Sequence, residues 1–360
     1  MDRIKETIDR ITDIDSSLME KAQQHLDNLT KPQGSLGKLE DLAKLVVSIT
    51  QKEAPSLKNK VIFTLAADHG VAAEGVSAFP QGVTAQMVYN FINEGAAINV
   101  LAKHVGAKVV VADVGVAEEL KMQTAKLKIK KIGYGTKNII AEPAMSREEG
   151  IKSIEAGIEL FEEEYANNGI DIVGTGEMGI ANTTASSAIC AVITGAPVED
   201  VTGRGTGIDE AALSNKIKVI KKALGLRQPD SKDALDVLSK VGGFEIGGVA
   251  GIILAAASKK VPVVIDGFIS AAAALIAYTL APKVKKYMIA AHCSVEKGHR
   301  IILKHMGIEP LLDLNLRLGE GTGAALAMNI IEAGVKILNE MATFKDAGVS
   351  EKEGVATGLL

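Results

Sequence analysis

From about residue 60 onward, short runs rich in Val and Ile alternate with longer segments of helical periodicity. The apolar runs VIFTLAADHG, AKVVVADVG, IDIVGTGE, VPVVIDG and KYMIAAHCS contain Asp, Gly or His near their ends. Continuous apolar runs of this length are typical of strands that are covered on both faces, and therefore of a parallel sheet. The run LKIKKIGYG adds a candidate edge strand. The pattern predicts an α/β fold with a doubly wound, mostly parallel sheet and flanking helices.

Both ends of the chain show helical periodicity instead. Residues 1–55 are predicted to be helical with a break at KPQGSLG, where Pro32 and Gly34 stop the first segment. Beyond residue 322, GAALAMNIIEAGVKILNEMATF predicts a long amphipathic helix. We therefore expect a large α/β catalytic domain over 56–325 and a small helical domain built from 1–55 and 326–360.

The composition is that of a globular protein with an ordinary share of charge. The 360 residues carry a formal net charge of −4 without a basic block, so no nucleic-acid partner is expected. The stretches GGVAGIILAAASKK and DGFISAAAALIAYTLAPK fall short of a membrane span, and we interpret both as buried helices of a soluble protein. The two cysteines, Cys190 and Cys293, make no disulfide framework, and the charged N-terminus is not a signal peptide. A reduced, cytoplasmic setting is expected.

Three glycine-rich loops are the sharpest local signals of a ligand site. They are GTGEMGIANTT at 174–184, TGRGTG at 202–207 and LGEGTG at 318–323. Free N–H groups at helix starts can hold a phosphate without a P-loop lysine. Ligands of open parallel sheets bind beyond the carboxyl ends of the strands, a rule that also selects Asp68, Asp113, Asp266 and His292. Taken alone, each loop is also explained by turn chemistry and each Asp by helix capping.

A dinucleotide site is an alternative for the first loop, because that loop contains GxGxxG. Against it, the loop lies mid-chain, Glu177 would set a carboxylate beside a pyrophosphate, and no strand ending in an acidic residue follows about twenty positions later. The first two loops do not match GxxxxGK[ST], so an NTPase is not expected. His292, Cys293 and His299 fit no common zinc spacing, and no metal is expected.

Taken together, the motifs resemble those of one enzyme family. The segments KPQGSLGKLE, ADHGVAAEGVSAFPQGVTAQMV, GEMGIANTT, TGRGTGID, GGFEIGG, IDGFISAAAAL and LRLGEGTGAALA are similar, in the same order, to nicotinate-nucleotide–dimethylbenzimidazole phosphoribosyltransferases. Several long motifs are far more specific than one glycine loop. That family serves the lower-ligand branch of cobalamin assembly. The resemblance implies a doubly wound domain plus a small helical domain from both termini, in a homodimer that uses no cofactor.

The resemblance also implies roles for individual residues. The family's general base is the glutamate of LGEGTG, here Glu320, and the glutamate of GEMG, here Glu177, borders the active site. The implied nucleotide contacts are Gly176, Gly179, Ile180, Asn182, Gly203, Arg204, Gly205, Lys216 and Asp266. The implied base contacts are Phe79, Pro80, Gln86, Met87 and Met178. An alternative assigns Phe79 and Met87 to the core of a helix start. The local sequence alone makes Glu320 a first-turn acid that complements a helix dipole.

The implied reaction moves the ribose 5-phosphate of nicotinate mononucleotide onto 5,6-dimethylbenzimidazole or a related base. Burial would raise the pKa of Glu320 and a helix-start position would lower it, and the sequence leaves this balance open. Two other classes of function stay open from the residues alone. An oxidoreductase would show dehydrogenase activity or tight NAD binding, and a silent binding module would bind a base without releasing nicotinate.

Overall fold

A single sheet of seven parallel strands forms the centre of the protein, which we describe from a computed structural model that covers residues 1–121, 124 and 126–350. The strands are β1 Lys60–Ala67, β2 Ala107–Gly115, β3 Leu127–Ile129, β4 Ile172–Met178, β5 Val263–Ile265, β6 Met288–His292 and β7 Pro310–Leu312. Their order is β3-β2-β1-β4-β5-β6-β7, and every neighbouring pair is parallel. The chain therefore winds outward from β1 in one direction and from β4 in the other, which confirms the doubly wound prediction.

The strand pattern also shows why the apolar runs were informative. All eight residues of β1 and all five of β6 are buried, as expected for strands with helices on both faces. The run LKIKKIGYG supplies β3 at one edge of the sheet. The opposite edge strand, β7, was not predicted, because Pro310 opens a run of only three residues that stay partly exposed.

Helices follow most of the strands, and helices also make up the first and last parts of the described chain. They are α1 Asp2–Asp9, α2 Ser16–Asp27, α3 Lys38–Thr50, α4 Val83–Ile92, α5 Ala97–His104, α6 Arg147–Asn168, α7 Asn182–Thr194, α8 Val198–Val201, α9 Glu210–Arg227, α10 Ala234–Val241, α11 Phe244–Ser258, α12 Phe268–Leu280, α13 Lys297–Met306, α14 Thr322–Glu340 and α15 Phe344–Ala347. Short 3₁₀ segments occupy Gly70–Glu74 and Pro282–Tyr287. Several helix starts follow side-chain caps, as at Ser146 before α6 and Asp209 before α9.

The two most apolar helices, α11 and α12, are buried as predicted. Small residues let α11 approach α6 closely: a Cβ at Gly157 would lie only 1.8 Å from the carbonyl oxygen of Gly248. This close approach accounts for part of the high glycine content. Within the described ranges, no helix combines the length and the apolar character that crossing a membrane requires.

Contacts within the chain divide it into two compact units. The larger unit comprises Met1–Asp13 and Lys58–Asn329, and the smaller comprises Ile14–Leu57 and the chain from Ile330 onward. The helix α1 thus belongs to the larger unit, whereas the sequence analysis assigns it, with the rest of residues 1–55, to the small helical domain. There Ile4 is buried, and Arg3 forms ion pairs with two glutamates of α6. The last ten residues of the predicted small domain, 351–360, lie outside the described residues.

The smaller unit has its own apolar core. That core contains Ala22, Leu26, Leu29, Ala43, Val47 and Leu338. Within the unit, the KPQGSLG loop joins α2 to α3, and its Lys31 forms a buried ion pair with Glu40, with 2.8 Å between Nζ and Oε1. Glu40 also accepts the N–H of Leu36. One carboxylate therefore both neutralises Lys31 and accepts a backbone N–H of the turn. These two contacts fix the conformation of a loop that contains two glycines.

Candidate active site

A cavity of about 470 Å³ opens at the carboxyl ends of β4, β5 and β6, beside the point where the strand order reverses. This is where ligands bind in open parallel sheets. Seven of the predicted site residues line it: Phe79, Glu177, Met178, Gly179, Ile180, Asn182 and Gly205. Most of the surface of the cavity is apolar, and its wall also includes Phe268, Ile269, Leu316 and Leu318. The cavity therefore has room and surface for a flat apolar group beside a few polar ones.

Glu177 is the last but one residue of β4 and reaches this cavity from the sheet. Its side chain is almost fully buried and accepts a short hydrogen bond from the amide of Asn182, at the start of α7. Burial and the neighbouring carboxylates of Glu245 and Asp266 raise the pKa of Glu177 well above its usual range. Burial therefore favours the protonated form of the Glu177 carboxyl group in the free protein.

Glu320 lies just behind the cavity, on the loop that leads into α14. It has a φ of +64°, in the left-handed region, and stands between Gly319 and Gly321, whose φ values are +85° and +97°. A Cβ at Gly319 would lie 2.4 Å from the carboxylate of Glu177, so the loop crosses directly over that side chain. The left-handed backbone of Gly319 favours glycine here, and a side chain would displace the Glu177 carboxylate. Gly319 is part of the cavity lining, whereas Glu320 is not among the described residues that line it.

The carboxylate of Glu320 is directed to a helix other than its own. Its Oε2 accepts the N–H of Ile98, near the start of α5, at 3.3 Å, and the residue is only 4% exposed. Burial raises the pKa of Glu320 to about 7, and the charge of Asp266 adds to this increase. The hydrogen bond from the Ile98 N–H lowers the pKa, but by less than burial raises it. The balance that the sequence left open is thus decided by burial. A carboxylate with a pKa near neutrality is suited to general base catalysis.

Gly176 and Asp266, both predicted nucleotide contacts, touch the loop of Glu320 instead. A Cβ at Gly176 would lie 2.3 Å from the carbonyl oxygen of Glu320, so the loop rests on the backbone of β4. Asp266 follows β5, and its carboxylate accepts the N–H groups of Gly321 at 3.2 Å and Ala324 at 3.0 Å. Burial raises the pKa of Asp266 to about 7. The glycine and the aspartate therefore support the loop.

A buried cation lies next to the TGRGTG loop. Lys216 of α9 is fully buried, and its Nζ donates to the hydroxyl of Thr183 at 2.7 Å and to the carbonyl oxygen of Gly203 at 3.5 Å. Burial lowers the pKa of Lys216 to about 8, and the nearby Glu296 carboxylate opposes that shift. Glu296 also accepts the N–H of Gly205 at 2.8 Å. Lysine, hydroxyl and backbone N–H groups in one place are the chemistry of an anion site.

The structure does not bring Arg204 to the cavity. Its guanidinium donates to the carboxylate of Glu210 at 2.5 Å and to the carbonyl oxygen of Ile208 at 2.9 Å, and half of the side chain is exposed. Arg317 instead occupies the position beside the cavity that was expected for Arg204. It lines the cavity and donates to the carbonyl oxygen of Gly205 at 3.2 Å. The arginine of LRLGEGTG, not that of TGRGTG, is therefore the one that lines the cavity.

The predicted base contacts are only partly brought together. Phe79 lines the cavity while 53% exposed, and Met178 joins it. The residue before Phe79 is tied to the TGRGTG loop, because the N–H of Ala78 donates to Thr206 Oγ1 at 3.0 Å. Pro80, Gln86 and Met87 are not among the described residues that line the cavity, and Pro80 and Gln86 are exposed.

Two buried polar clusters behind the GEMG loop were not predicted as such, although the sequence analysis selected Asp68 as a strand-end residue. Thr84 of α4 accepts the N–H of Ile180 at 3.1 Å and bonds to Asp68. His69 pairs with Glu245, with 2.6 Å between Nε2 and Oε1. Burial opposes protonation of His69, but the two nearby carboxylates outweigh it and raise its pKa. Thr84 thus links α4 to the loop that follows Glu177, and the His69–Glu245 pair lies against Gly179 of that loop.

Other residues of the site were missed inside segments that the sequence analysis had considered. Thr183 stands within GEMGIANTT itself, and Ser294 and Glu296 follow His292 in AHCSVEKGH. In that segment the sequence analysis selected only His292, as a strand-end residue, and rejected a metal site; the described residues contain no group of three His, Cys, Asp or Glu side chains that could hold a metal ion. The usable signal was its position after a strand, since parallel strands end at one edge of the sheet.

A switch-point cavity with a buried lysine, helix-start N–H groups and carboxylates of raised pKa is typical of α/β enzymes that act on phosphorylated substrates. The comparisons specify the class. A family described as phosphoribosyltransferase matches residues 11–349. The chain belongs to this phosphoribosyltransferase family, which removes the dinucleotide oxidoreductase as an explanation of the glycine loops.

Individual relatives are similar along nearly their whole length. The chain is 56% identical over 351 residues to proteins named nicotinate-nucleotide–dimethylbenzimidazole phosphoribosyltransferase from Desulforudis audaxviator and Geobacter sulfurreducens, covering 98% of this chain and 99% of each relative. Among solved structures, CobT from Thermus thermophilus superimposes with a TM-score of 0.90 at 43% identity, over 93% of this chain and 100% of that one. The resemblance inferred from the motifs is confirmed.

Proposed function

We propose that this protein transfers the ribose 5-phosphate of nicotinate mononucleotide to 5,6-dimethylbenzimidazole or a related base. The products are an α-riboside phosphate and nicotinate. The names of the relatives support the substrates. The observation that carries the proposal is one cavity that joins an apolar wall and the buried Glu177 to the TGRGTG loop beside Lys216, with Glu320 directly behind it.

In the proposed reaction, a bond forms between one nitrogen of the base and C1′ of the ribose while the bond to nicotinate breaks. The pyridinium nitrogen of the leaving group keeps the electron pair and departs neutral, so no general acid is needed. The base loses the proton of its other nitrogen, which Glu320 accepts. Attack on the face opposite the leaving nicotinate inverts C1′ and gives the α-linked product.

Glu177 has a different proposed role. The transition state of such a transfer has oxocarbenium character by analogy with glycosyl transfer. The pyridinium cation of the bound nucleotide, and then the charge that develops on the ribose, favour the ionised form of a nearby carboxylate. Glu177 is therefore proposed to release its proton as the nucleotide binds and to stabilise positive charge, while Asn182 fixes its orientation.

The phosphate is proposed to bind at Lys216. The lysine, the hydroxyl of Thr183 and the N–H of Gly205 lie together beside the cavity, and Arg317 approaches the same loop. A phosphate dianion would strengthen the protonated state of Lys216, whose pKa is lowered by burial. It would also compete with Glu296 for the Gly205 N–H, so that carboxylate must yield when the nucleotide enters.

The pH dependence follows from the two titrating groups. Glu320 acts as a base only when ionised, so kcat/KM should rise as the pH increases through about 7. Lys216 binds phosphate best when protonated, so kcat/KM should fall again as the pH rises through about 8. A bell-shaped profile is expected from initial rates at limiting nicotinate mononucleotide. Glu320→Gln should lose the acid limb, and Lys216→Arg should move the alkaline limb upward. A profile flat from pH 6 to pH 9 contradicts both assignments.

The base pocket should discriminate weakly among flat bases. Its wall is mostly apolar, with the adaptable thioether of Met178 and the half-exposed ring of Phe79. We expect 5,6-dimethylbenzimidazole, benzimidazole and singly substituted benzimidazoles to react, and adenine or phenols to react more slowly.

The experiment that tests the function incubates the purified protein with nicotinate mononucleotide and each base in turn. Mass spectrometry then detects riboside phosphates and released nicotinate. Product from dimethylbenzimidazole alone would contradict the permissive pocket but keep the reaction. Base binding without release of nicotinate from any mixture would restore the silent binding module. Phe79→Ala should widen the range of accepted bases, whereas the exposed Tyr134→Ala serves as a matched aromatic control.

The remaining expectations also stand as proposals. We propose that the two compact units are the catalytic and helical domains, and that the protein is a cytoplasmic homodimer, as the family resemblance implies. Light scattering on the purified protein measures the oligomeric state directly, and a monomer at working concentration contradicts the dimer.

A further inference from the structure

We propose that Asp266 is a positioning residue, which fixes the peptide group after Glu320 and leaves the nucleotide untouched. The inference rests on the proposed role of Glu320 as the base. It replaces the nucleotide contact that the family resemblance implied for Asp266. Three observations carry it. Both carboxylate oxygens of Asp266 accept hydrogen bonds, the backbone of Glu320 is strained, and groups from three strands contact one peptide group.

Both oxygens of Asp266 are engaged by the loop. Oδ2 accepts the N–H of Gly321 at 3.2 Å and Oδ1 accepts the N–H of Ala324 at 3.0 Å, so one carboxylate spans the loop and the first turn of α14. The side chain is 1% exposed, and its own N–H donates to Thr175 Oγ1 at 3.2 Å. Asp266 is thus tied to β4 behind and to the loop in front. A ribose hydroxyl would have to displace one of these charge-assisted hydrogen bonds.

The backbone of the loop needs such an anchor. Glu320 has a φ of +64°, a conformation that side chains other than glycine rarely adopt. Residues held in such regions persist only where the surroundings determine them. Because Gly319 and Gly321 are also in the left-handed region, the loop has little stiffness of its own at the point where the base must be placed.

Three strands converge on the single peptide group that links Glu320 to Gly321. Its carbonyl oxygen accepts the hydroxyl of Thr64 from β1 at 2.9 Å, and its N–H donates to Asp266 after β5. Between them, Gly176 of β4 passes so close that a Cβ would lie 2.3 Å from the carbonyl oxygen and 2.8 Å from the Gly321 nitrogen. The peptide is therefore held on both polar atoms and pressed against the sheet. The side chain of Glu320 is placed by this arrangement.

The charged neighbours of Asp266 define what a substitution would change. His292 Nε2 lies 3.9 Å from its Oδ1, and burial lowers the pKa of that histidine, so it is neutral near pH 7. Glu177 and Glu320 are the acidic groups whose pKa values its charge raises. Removing the charge of Asp266 should therefore shift the acid limb of the kcat/KM profile to lower pH, an effect that a purely structural role would not produce.

Asp266→Asn tests the proposal, since it keeps the size of the side chain and one acceptor oxygen but loses the charge and one hydrogen bond. Steady-state kinetics should show kcat reduced roughly tenfold, as for loss of one hydrogen bond to a charged group. The KM for nicotinate mononucleotide should stay within about twofold of the wild-type value, because no contact with the nucleotide is lost. A raised KM at unchanged kcat would establish the nucleotide contact and overturn the proposal.

A double-mutant cycle separates this proposal from that for Glu320. If Asp266 acts through Glu320, Asp266→Asn should have almost no further effect on kcat in the Glu320→Gln background. A full tenfold loss in that background overturns the positioning role and leaves the base intact. Wild-type turnover of Glu320→Gln alone would instead mean that the proposed base is wrong.

Thr64 keeps the test decisive if Asp266→Asn does not fold. Thr64→Val removes the hydroxyl on the other side of the same peptide, in a fully buried site and without a change of charge. We expect it to lower kcat at unchanged nucleotide KM without moving the acid limb, and Thr64→Ser to restore most of the loss. Equal activity of the Val and Ser variants would show that the peptide needs no such anchor.

Discussion

Glu320→Gln should reduce kcat by about 10²–10⁴-fold, the usual contribution of a general base. The carboxylate is the proposed acceptor of the proton from the incoming base, and an amide cannot take that proton. The substitution should leave the fold intact, because the Gln side-chain oxygen can still accept the N–H of Ile98 that holds Glu320 Oε2 at 3.3 Å. Binding of nicotinate mononucleotide, measured by calorimetry, should change little.

The matched control for this prediction is Glu142→Gln, a substitution of the same kind at an exposed position. It should retain wild-type turnover. Steady-state rates with dimethylbenzimidazole at pH 8, where Glu320 is mainly ionised, give the comparison, because its pKa is about 7. Turnover of Glu320→Gln within a few fold of wild type would mean that another group, with Glu177 as the nearest candidate, takes the proton.

Lys216→Ala should raise the KM for nicotinate mononucleotide about 10- to 150-fold, the equivalent of roughly 1.5–3 kcal/mol for a hydrogen bond to a charged group. The lysine is fully buried beside Thr183 and Gly203, so no cation from the solvent can take the place of its ammonium group. The affinity for the free base should change far less, because the lysine is proposed to contact only the phosphate. Initial rates over both substrate concentrations separate the two constants.

Lys218→Ala is the control, since Lys218 lies on the same helix, α9, but is exposed. It should leave both KM values unchanged. If Lys216→Ala weakened both substrates equally, the lysine would only support the helix. Because the substitution leaves the Glu296 carboxylate buried without its cation, thermal unfolding of both variants should be compared so that instability is not mistaken for lost binding.

The sequence by itself determined the class of fold and the family. Apolar runs rich in Val and Ile that alternate with helical segments are typical of a parallel sheet with helices on either side, and those runs became β1, β2, β4, β5 and β6. The glycine loops were expected to open helices, and they precede α7, α9 and α14. These features depend on neighbours in the chain, and a linear pattern records them.

The tertiary structure decided which polar groups meet. As a first-turn acid of its own helix, Glu320 would have had a lowered pKa. Its contact instead is Ile98 of α5, more than two hundred residues away, and burial raises its pKa to about 7. Arg204 turns away to Glu210 while Arg317 enters the cavity, although both belong to glycine-rich motifs. The direction of a long side chain depends on partners that no local pattern contains.

Distant partners also decided what Asp266 and Gly176 contact. Their motifs gave their positions at strand ends, but not that both would face the loop of residue 320 rather than a ligand. That choice follows from the order of the strands, since β1, β4 and β5 lie side by side only in the folded sheet. Local propensity and apolar periodicity specify the elements. The pairing of buried charges is decided when packing brings distant strand ends to one edge and excludes the water that would otherwise solvate them.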